Sequence, residues 1–185
     1  MTGANPRGTN TDFARFPLGT LARDGDEATL TFVRHYPYPV ERLWRAITDP
    51  ETTRLWWAEA DIELRVGGRF NLRWLNGPED ELEWWPGEIT ALHLGSVVEH
   101  TNTVHGLLRW ELEPEPGGTR LTFTNVVTPL EEQGLSMSLA GWHAHLDHLL
   151  EAIEGREPDW PTWHVVHFPA WEKVHIAYQR AYGLP

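Results

Sequence analysis

His143, His145 and His148 stand close together in the stretch GLSMSLAGWHAHLDHLLEAIEG, residues 134–155. An imidazole can ligate a metal, accept a proton or hold a hydrogen bond near neutral pH. On a helix turning about 100° per residue, the three point in different directions. His143 and His145 flank an apolar face on opposite sides, and His148 points away from it. One helix cannot bring them to one ion. The chain has no cysteine, and no HExxH pattern supplies a second ligand set. No metal and no other cofactor is therefore expected. His143 or His145 is left to edge a cavity as a hydrogen-bonding group.

A second set is His100, Asn102 and Asn125. Side chains alternate across a strand, so His100 and Asn102 share a face with Val98 and Val104. Asn125 shares one with Leu121, Phe123 and Val127. Leu108, Trp110 and Leu112 would face the same way from the adjoining strand. An unpaired polar group on such a surface costs about 1–3 kcal/mol. Two readings stay open: a polar patch in a mostly apolar cavity, or a core network satisfied within the protein. A register slip of one residue would instead turn all three to solvent.

The chain carries Trp 11 times. Indoles fill cores, and they also wall small-molecule sites. The wall candidates are Trp74, Trp85, Trp110 and Trp142; the orienting candidates are His100, Asn102, Asn125 and His145. No catalytic residue is assigned. Asp61/Glu63 and Glu81/Glu83 read as solvated pairs on polar strand faces. Ser136 and Ser138 precede His143 without an elbow or oxyanion hole. Gly67-Gly68 is a turn, since no Lys-Ser/Thr follows as in a phosphate loop.

The elements that must position these groups follow from periodicity. In residues 134–155, Leu139, Trp142, Leu146, Leu149, Leu150 and Ile153 fall on one helical face and Glu151 and Glu154 on the other. Gly155 is placed to end that helix. Residues 1–17 are polar and aperiodic and read as a flexible tail. A strand runs from Leu18 to His35 with a turn at Asp24-Gly25. A short helix spans Val40 to Thr48, and a second starts with Asp49 as cap and Pro50 at its first position. A meander of strands fills Asp61 to Val127, with turns at Gly67-Gly68 and Asn76-Gly77-Pro78. Its strand Leu82 to Leu92 is expected to distort at Pro86-Gly87. Short connections make the sheet antiparallel. Pro169 to Tyr182 reads as a further helix on the flank. The chain divides into a tail (1–17), a main domain (18–155) and a C-terminal extension (156–185).

The length of 185 residues and formal net charge of −12 suit one domain and fit a phosphate backbone poorly, so no nucleic-acid partner is expected. With neither a long apolar run nor a charged leader, no membrane association is expected. The absence of cysteine fits a cytoplasmic protein.

The order strand, two short helices, strand meander, long helix resembles the helix-grip arrangement of the START-like (Bet v-like), or SRPBCC, superfamily. Within it the chain resembles bacterial relatives of the C-terminal domain of the heat-shock-protein-90 ATPase activator. The carrying residues are Pro39-Val40-Glu41-Arg42-Leu43-Trp44-Arg45-Ala46-Ile47-Thr48-Asp49-Pro50, Trp56-Trp57, Val66-Gly67-Gly68-Arg69-Phe70, Gly87-Glu88-Ile89, Trp110-Glu111-Leu112, Gly118-Thr119-Arg120-Leu121-Thr122 and Gly141-Trp142. The family's Pro-Pro pair before a strand ending in Thr-Trp is replaced here by His93-Leu94-Gly95-Ser96 and Val97-Val98-Glu99-His100-Thr101. The resemblance implies an α+β fold, a curved antiparallel sheet wrapped around the long helix. It implies a fold better than an activity. The leading expectation is a small apolar ligand held between sheet and long helix. A co-chaperone-like partner of a larger ATPase, with a homodimer also open, is the second. A cyclase or hydrolase using His100 or His145 is the third.

Overall fold

The computed structural model describes residues 13–75, 83–128 and 132–185. The expected turn at Asn76-Gly77-Pro78 and the carboxylate of Glu81 lie outside them. Alternation of burial builds the first ribbon. β1 (Thr20–Asp24) turns at Gly25 into β2 (Glu27–Tyr36), where Ala28, Leu30, Phe32, Arg34 and Tyr36 all face inward. Two prolines end β2, and α1 (Val40–Thr48) follows. The Asp49 carboxylate accepts the Glu51 N–H at 3.1 Å and caps α2 (Pro50–Thr53).

The sheet strands are β5 (Ile89–His93), β6 (Val97–Asn102), β7 (Gly106–Glu115) and β8 (Gly118–Val127). They join β1 and β2 in one six-stranded sheet, ordered β1-β2-β8-β7-β6-β5, with every pairing antiparallel. β3 (Ala58–Ile62) and β4 (Phe70–Trp74) form a separate hairpin. Bridges Arg69–Glu88 and Leu72–Trp85 tie it to the approach to β5.

Two expected strands differ. The alternation Ile62, Leu64, Val66 does not continue the ladder, for β3 ends at Ile62 and Val66 lies 59% exposed in the turn. The strand expected from Leu82 to Leu92 is broken at Pro86-Gly87, and β5 starts only at Ile89. Gly87 is squeezed between neighbours: a Cβ there would sit 2.2 Å from the Thr101 carbonyl oxygen and 2.5 Å from that of Phe70. Both obstacles are backbone and neither can swing aside. Gly87→Ala is therefore expected to destabilise the fold by at least about 2 kcal/mol, read from chemical denaturation. A change below about 0.5 kcal/mol would mean this crossing is looser than described.

The long helix α3 (Glu132–Ile153) lies on the concave face of the sheet. It ends as its sequence predicts: Gly155 has φ +81°, its N–H donates to the Ala152 carbonyl, and the Arg156 N–H donates to that of Glu151. That is the Schellman pair of bonds. The helix is not half wet, however. Every residue from Trp142 to Ile153 is buried, including His148 and Glu151, which sequence periodicity sends to the polar side.

The cover on that side is the extension. A 3-10 turn (Trp160–Thr162) leads into α4 (Trp163–Val166) and α5 (Phe168–Tyr182). The Trp160 indole N–H donates to the Arg54 carbonyl at 3.1 Å. The Tyr178 hydroxyl accepts the Gly19 N–H at 2.6 Å, and Tyr182 donates to the Gly19 carbonyl at 2.8 Å. Within the stretch expected as a tail, Phe13 and Phe16 are packed. The Phe13 ring is buried 5.4 Å from His148, and Phe16 lies 5.5 Å from Tyr36.

Candidate functional site

Rings fill the space beneath Trp142. Its indole lies 4.6 Å from Phe123 and 5.5 Å from Trp57, while Trp110 stacks 4.0 Å from Phe123 and 5.3 Å from Trp57. The expected opening between sheet and long helix is thus occupied by the protein's own side chains. Trp110 and Trp142 belong to that core.

The polar groups on the inner face are largely satisfied within it. His100 stacks on Phe70 at 3.7 Å and lies 3.2 Å by Nδ1 from the Thr101 carbonyl. A carbonyl only accepts, so Nδ1 carries the hydrogen and Nε2 accepts the Trp110 indole N–H at 3.3 Å. Asn125 donates to the His105 and Leu107 carbonyls at 2.6 and 3.1 Å and accepts the Trp142 indole N–H at 2.9 Å. Asn102 accepts the N–H groups of Val104 and His105 at 2.9 and 3.1 Å. Of the two readings left open by the sequence, the satisfied network describes His100 and Asn125. Val104, expected inward, lies 52% exposed because β6 ends at Asn102 and the chain turns.

That turn brings in a residue the sequence reading missed. Read as strand to His105, the alternation puts this histidine opposite His100. The turn rotates it inward, and its ring lies 5.3 Å from Trp142, 5.6 Å from Trp74 and 5.7 Å from Trp85. An Asn followed closely by Gly106, which has φ +76°, is the signal that could have placed the turn. Three buried nitrogens here lack a hydrogen-bond partner among the described residues: Trp57 Nε1, Asn102 Nδ2 and His105 Nε2.

Trp74, Trp85 and His145 come together at the edge of this core. Trp74 lies 5.7 Å from Trp85 and 4.6 Å from His145. His145 is buried, and its Nδ1 lies 3.0 Å from the Trp56 carbonyl. Nδ1 is therefore the donor, and the neutral ring keeps a lone pair on Nε2. Burial pulls the His100 and His145 imidazoles down to about 3, and that of His105 to about 4. His143 turns elsewhere. Its Nδ1 accepts from the Tyr178 hydroxyl at 2.9 Å and from Arg34 at 3.5 Å. Burial, then the adjacent Arg34 charge, lowers it to about 4. His148 faces a third way, with Nδ1 2.9 Å from Glu151 and Nε2 accepting the Trp163 indole N–H at 3.0 Å.

A pocket of about 210 Å³ opens beside His145. Trp74 walls it from β4, and Met137, Gly141 and His145 from α3. Trp163 comes from α4, and Phe168 and Trp171 from α5. Gly141 leaves the α3 side open, since a Cβ on it would meet nothing within 4 Å. Of the sequence-predicted residues, Trp74 and His145 line this pocket. A larger recess of about 580 Å³ opens at the other end, between the start of α1 and the turns before β6 and β8. Among the described residues, its lining side chains apart from Glu41 are uncharged, and none of the predicted residues reaches it.

A curved antiparallel sheet closed around a long C-terminal helix, with two short helices after the first ribbon, is the helix-grip fold of START-like (SRPBCC) proteins. The chain belongs to the family described as Activator of Hsp90 ATPase homolog 1-like protein, which matches residues 37–154. No curated protein matches the sequence. Among solved structures, CalU16 from Micromonospora echinospora is similar with TM-score 0.68 at 24% identity, over 88% of this chain and 95% of that one. A conserved protein of unknown function, EF2215 from Enterococcus faecalis, gives 0.67 at 18%, over 88% and 89%. DynU16, of the dynemicin biosynthetic locus, gives 0.61 at 18%, over 72% of this chain and 49% of that one. No helix among the described residues is long and apolar enough to cross a membrane.

Proposed function

We propose that this protein binds a small, largely apolar molecule in the pocket between α3, β4 and the extension. The observation that carries this reading is the lining itself: four large aromatic rings and a thioether around a glycine opening, with one buried imidazole. Ligand sites are commonly concave, apolar and set with few polar groups. The fold is compatible with small-molecule partners, and DynU16, which has a similar fold, comes from a biosynthetic locus. His100 and His145 take binding and packing roles here. Both ring nitrogens of His100 are engaged within the core, by the Thr101 carbonyl and the Trp110 indole N–H, which speaks against a cyclase or hydrolase reading that uses His100.

Naphthalene, uncharged and of suitable size, is the reference probe. At 100 times its dissociation constant it should stabilise the fold by about 2.7 kcal/mol. Gly141→Leu puts a branched side chain into the opening and should abolish that stabilisation. The variant itself should melt no lower than the parent, because leucine favours a helix interior over glycine by up to about 1 kcal/mol. If neither naphthalene nor a wider panel of uncharged apolar molecules raises the melting temperature, the reading falls.

A second reading has one observation behind it. Val165 (67% exposed), Val166, Phe168 and Ile176 leave apolar surface on α4 and α5. Such surface suits a protein partner, and a chaperone-type ATPase is the partner the family's description suggests. An ATPase rate unchanged by added protein would dismiss it.

A further inference from the structure

We infer that the pocket selects uncharged planar aromatic molecules carrying a hydroxyl group, which donates its hydrogen bond to His145 Nε2. This rests on the pocket reading above and names its ligand chemistry. The lining groups differ in what they can offer a guest. An indole nitrogen donates and never accepts, phenylalanine and glycine have no polar side-chain atom, and a thioether is a weak acceptor. Among the described residues, His145 is then the one lining side chain able to offer a nitrogen lone pair.

Which ring nitrogen offers it is fixed by the fold. Nδ1 is turned inward to the Trp56 carbonyl at 3.0 Å, and that bond holds the hydrogen there. Trp74, 4.6 Å away and tilted 40°, presses on the ring and limits its rotation. Among the described residues the hydrogen bond of the ring is the one at Nδ1, and Nε2, which is not one of the fully buried unpartnered atoms, is left open to the pocket. A guest seated over Nε2 shuts water away from that lone pair, so one that brings a donor is favoured over one that leaves the covered acceptor unpaired.

The walls set the rest of the preference. Trp163 is pinned by its indole bond to His148, and Phe168 stacks on Trp171 with centroids 5.4 Å apart. Fixed rings favour flat guests. Among the described residues no Lys, Arg, Asp or Glu lines the pocket, and the chain is net negative at −12. A carboxylate would enter with no cation to meet it.

Four probes of one ring system separate these terms: naphthalene, 2-naphthol, 2-methoxynaphthalene and 2-naphthoate, with affinities read by calorimetry or tryptophan fluorescence. The expected result is 2-naphthol binding at least about fivefold tighter than 2-methoxynaphthalene, which keeps the oxygen and loses the donor. Naphthoate should bind at least about tenfold more weakly than naphthalene. In His145→Phe the advantage of naphthol over its methyl ether should vanish while naphthalene still binds. Equal affinity for naphthol and its ether in the unaltered protein overturns the inference and leaves the pocket reading standing. Failure of all four probes overturns both. Should His145→Phe not fold, the probe series on the unaltered protein decides alone.

Discussion

Acidification from pH 7.5 to pH 5 is expected to remove most of this protein's stability. His100, His105, His143 and His145 are held neutral inside the fold with values of about 3 to 4. In the unfolded chain each returns to about 6.5. Below that pH the unfolded state binds the protons that the folded state refuses, so stability falls as pH falls. The loss begins near 6.5 and continues toward the folded values; above pH 7 the curve should be flat on this account. Each such imidazole adds a slope of up to about 1.4 kcal/mol per pH unit, hence roughly 2 kcal/mol at pH 5. Together they approach on the order of 8 kcal/mol, against a usual total of about 5–15. Urea midpoints measured across this range test it. His105→Leu is the clean variant, because His105 makes no side-chain hydrogen bond among the described residues. It should make the slope shallower by about one proton. A midpoint that stays level down to pH 5 would mean the imidazoles charge without leaving the core.

The second large effect is at Trp142. Replacing it by alanine is expected to cost about 3–5 kcal/mol for the lost ring and its cavity. A further 1–3 kcal/mol, roughly, comes from Asn125 Oδ1, which loses the indole N–H 2.9 Å away in a buried setting. Phe123, Trp57 and His105 all lose a neighbour, and fixed strands and α3 leave them little room to close the gap. Trp142→Phe should cost visibly less, since a smaller ring remains. The pair Trp142→Phe with Asn125→Ala should be less harmful than the two single changes added, by about 1 kcal/mol. Equilibrium unfolding in guanidinium gives all of these numbers. A Trp142→Ala variant within about 1 kcal/mol of the parent would deny Trp142 a central place in the core.

What the sequence could disclose follows the range of the interactions. Local rules placed the Asp49-Pro50 cap, the Gly155 stop and the alternation of β2 and β8, because each is decided within a few residues. The inward set of His100, Asn102 and Asn125 was legible for the same reason. Their partners were not, because the bonds from Trp110 to His100 and from Trp142 to Asn125 span the sheet or join sheet to helix. His148 and Glu151 were misassigned to a wet face since the cover arrives from a segment beyond α3. Trp74 and His145, which the sequence offers as candidates, line the recess beside α3, whereas Trp163, Phe168 and Trp171 depend on how the extension docks. No periodicity within the main domain contains that information.

The grip of Tyr178 and Tyr182 on Gly19 bears on biosynthesis. A ribosome releases the first ribbon early and α5 late, and domains begin to fold as they emerge. The nascent chain therefore passes through a stage in which α3 can already lie on the sheet while His148 and Glu151 still meet water. Only when α5 is out of the exit tunnel can both tyrosines clasp the entry to β1. A segment made after α3 is thus the clasp that completes the aromatic pocket, so a translation product cut between α3 and α5 would carry the grip without its lock.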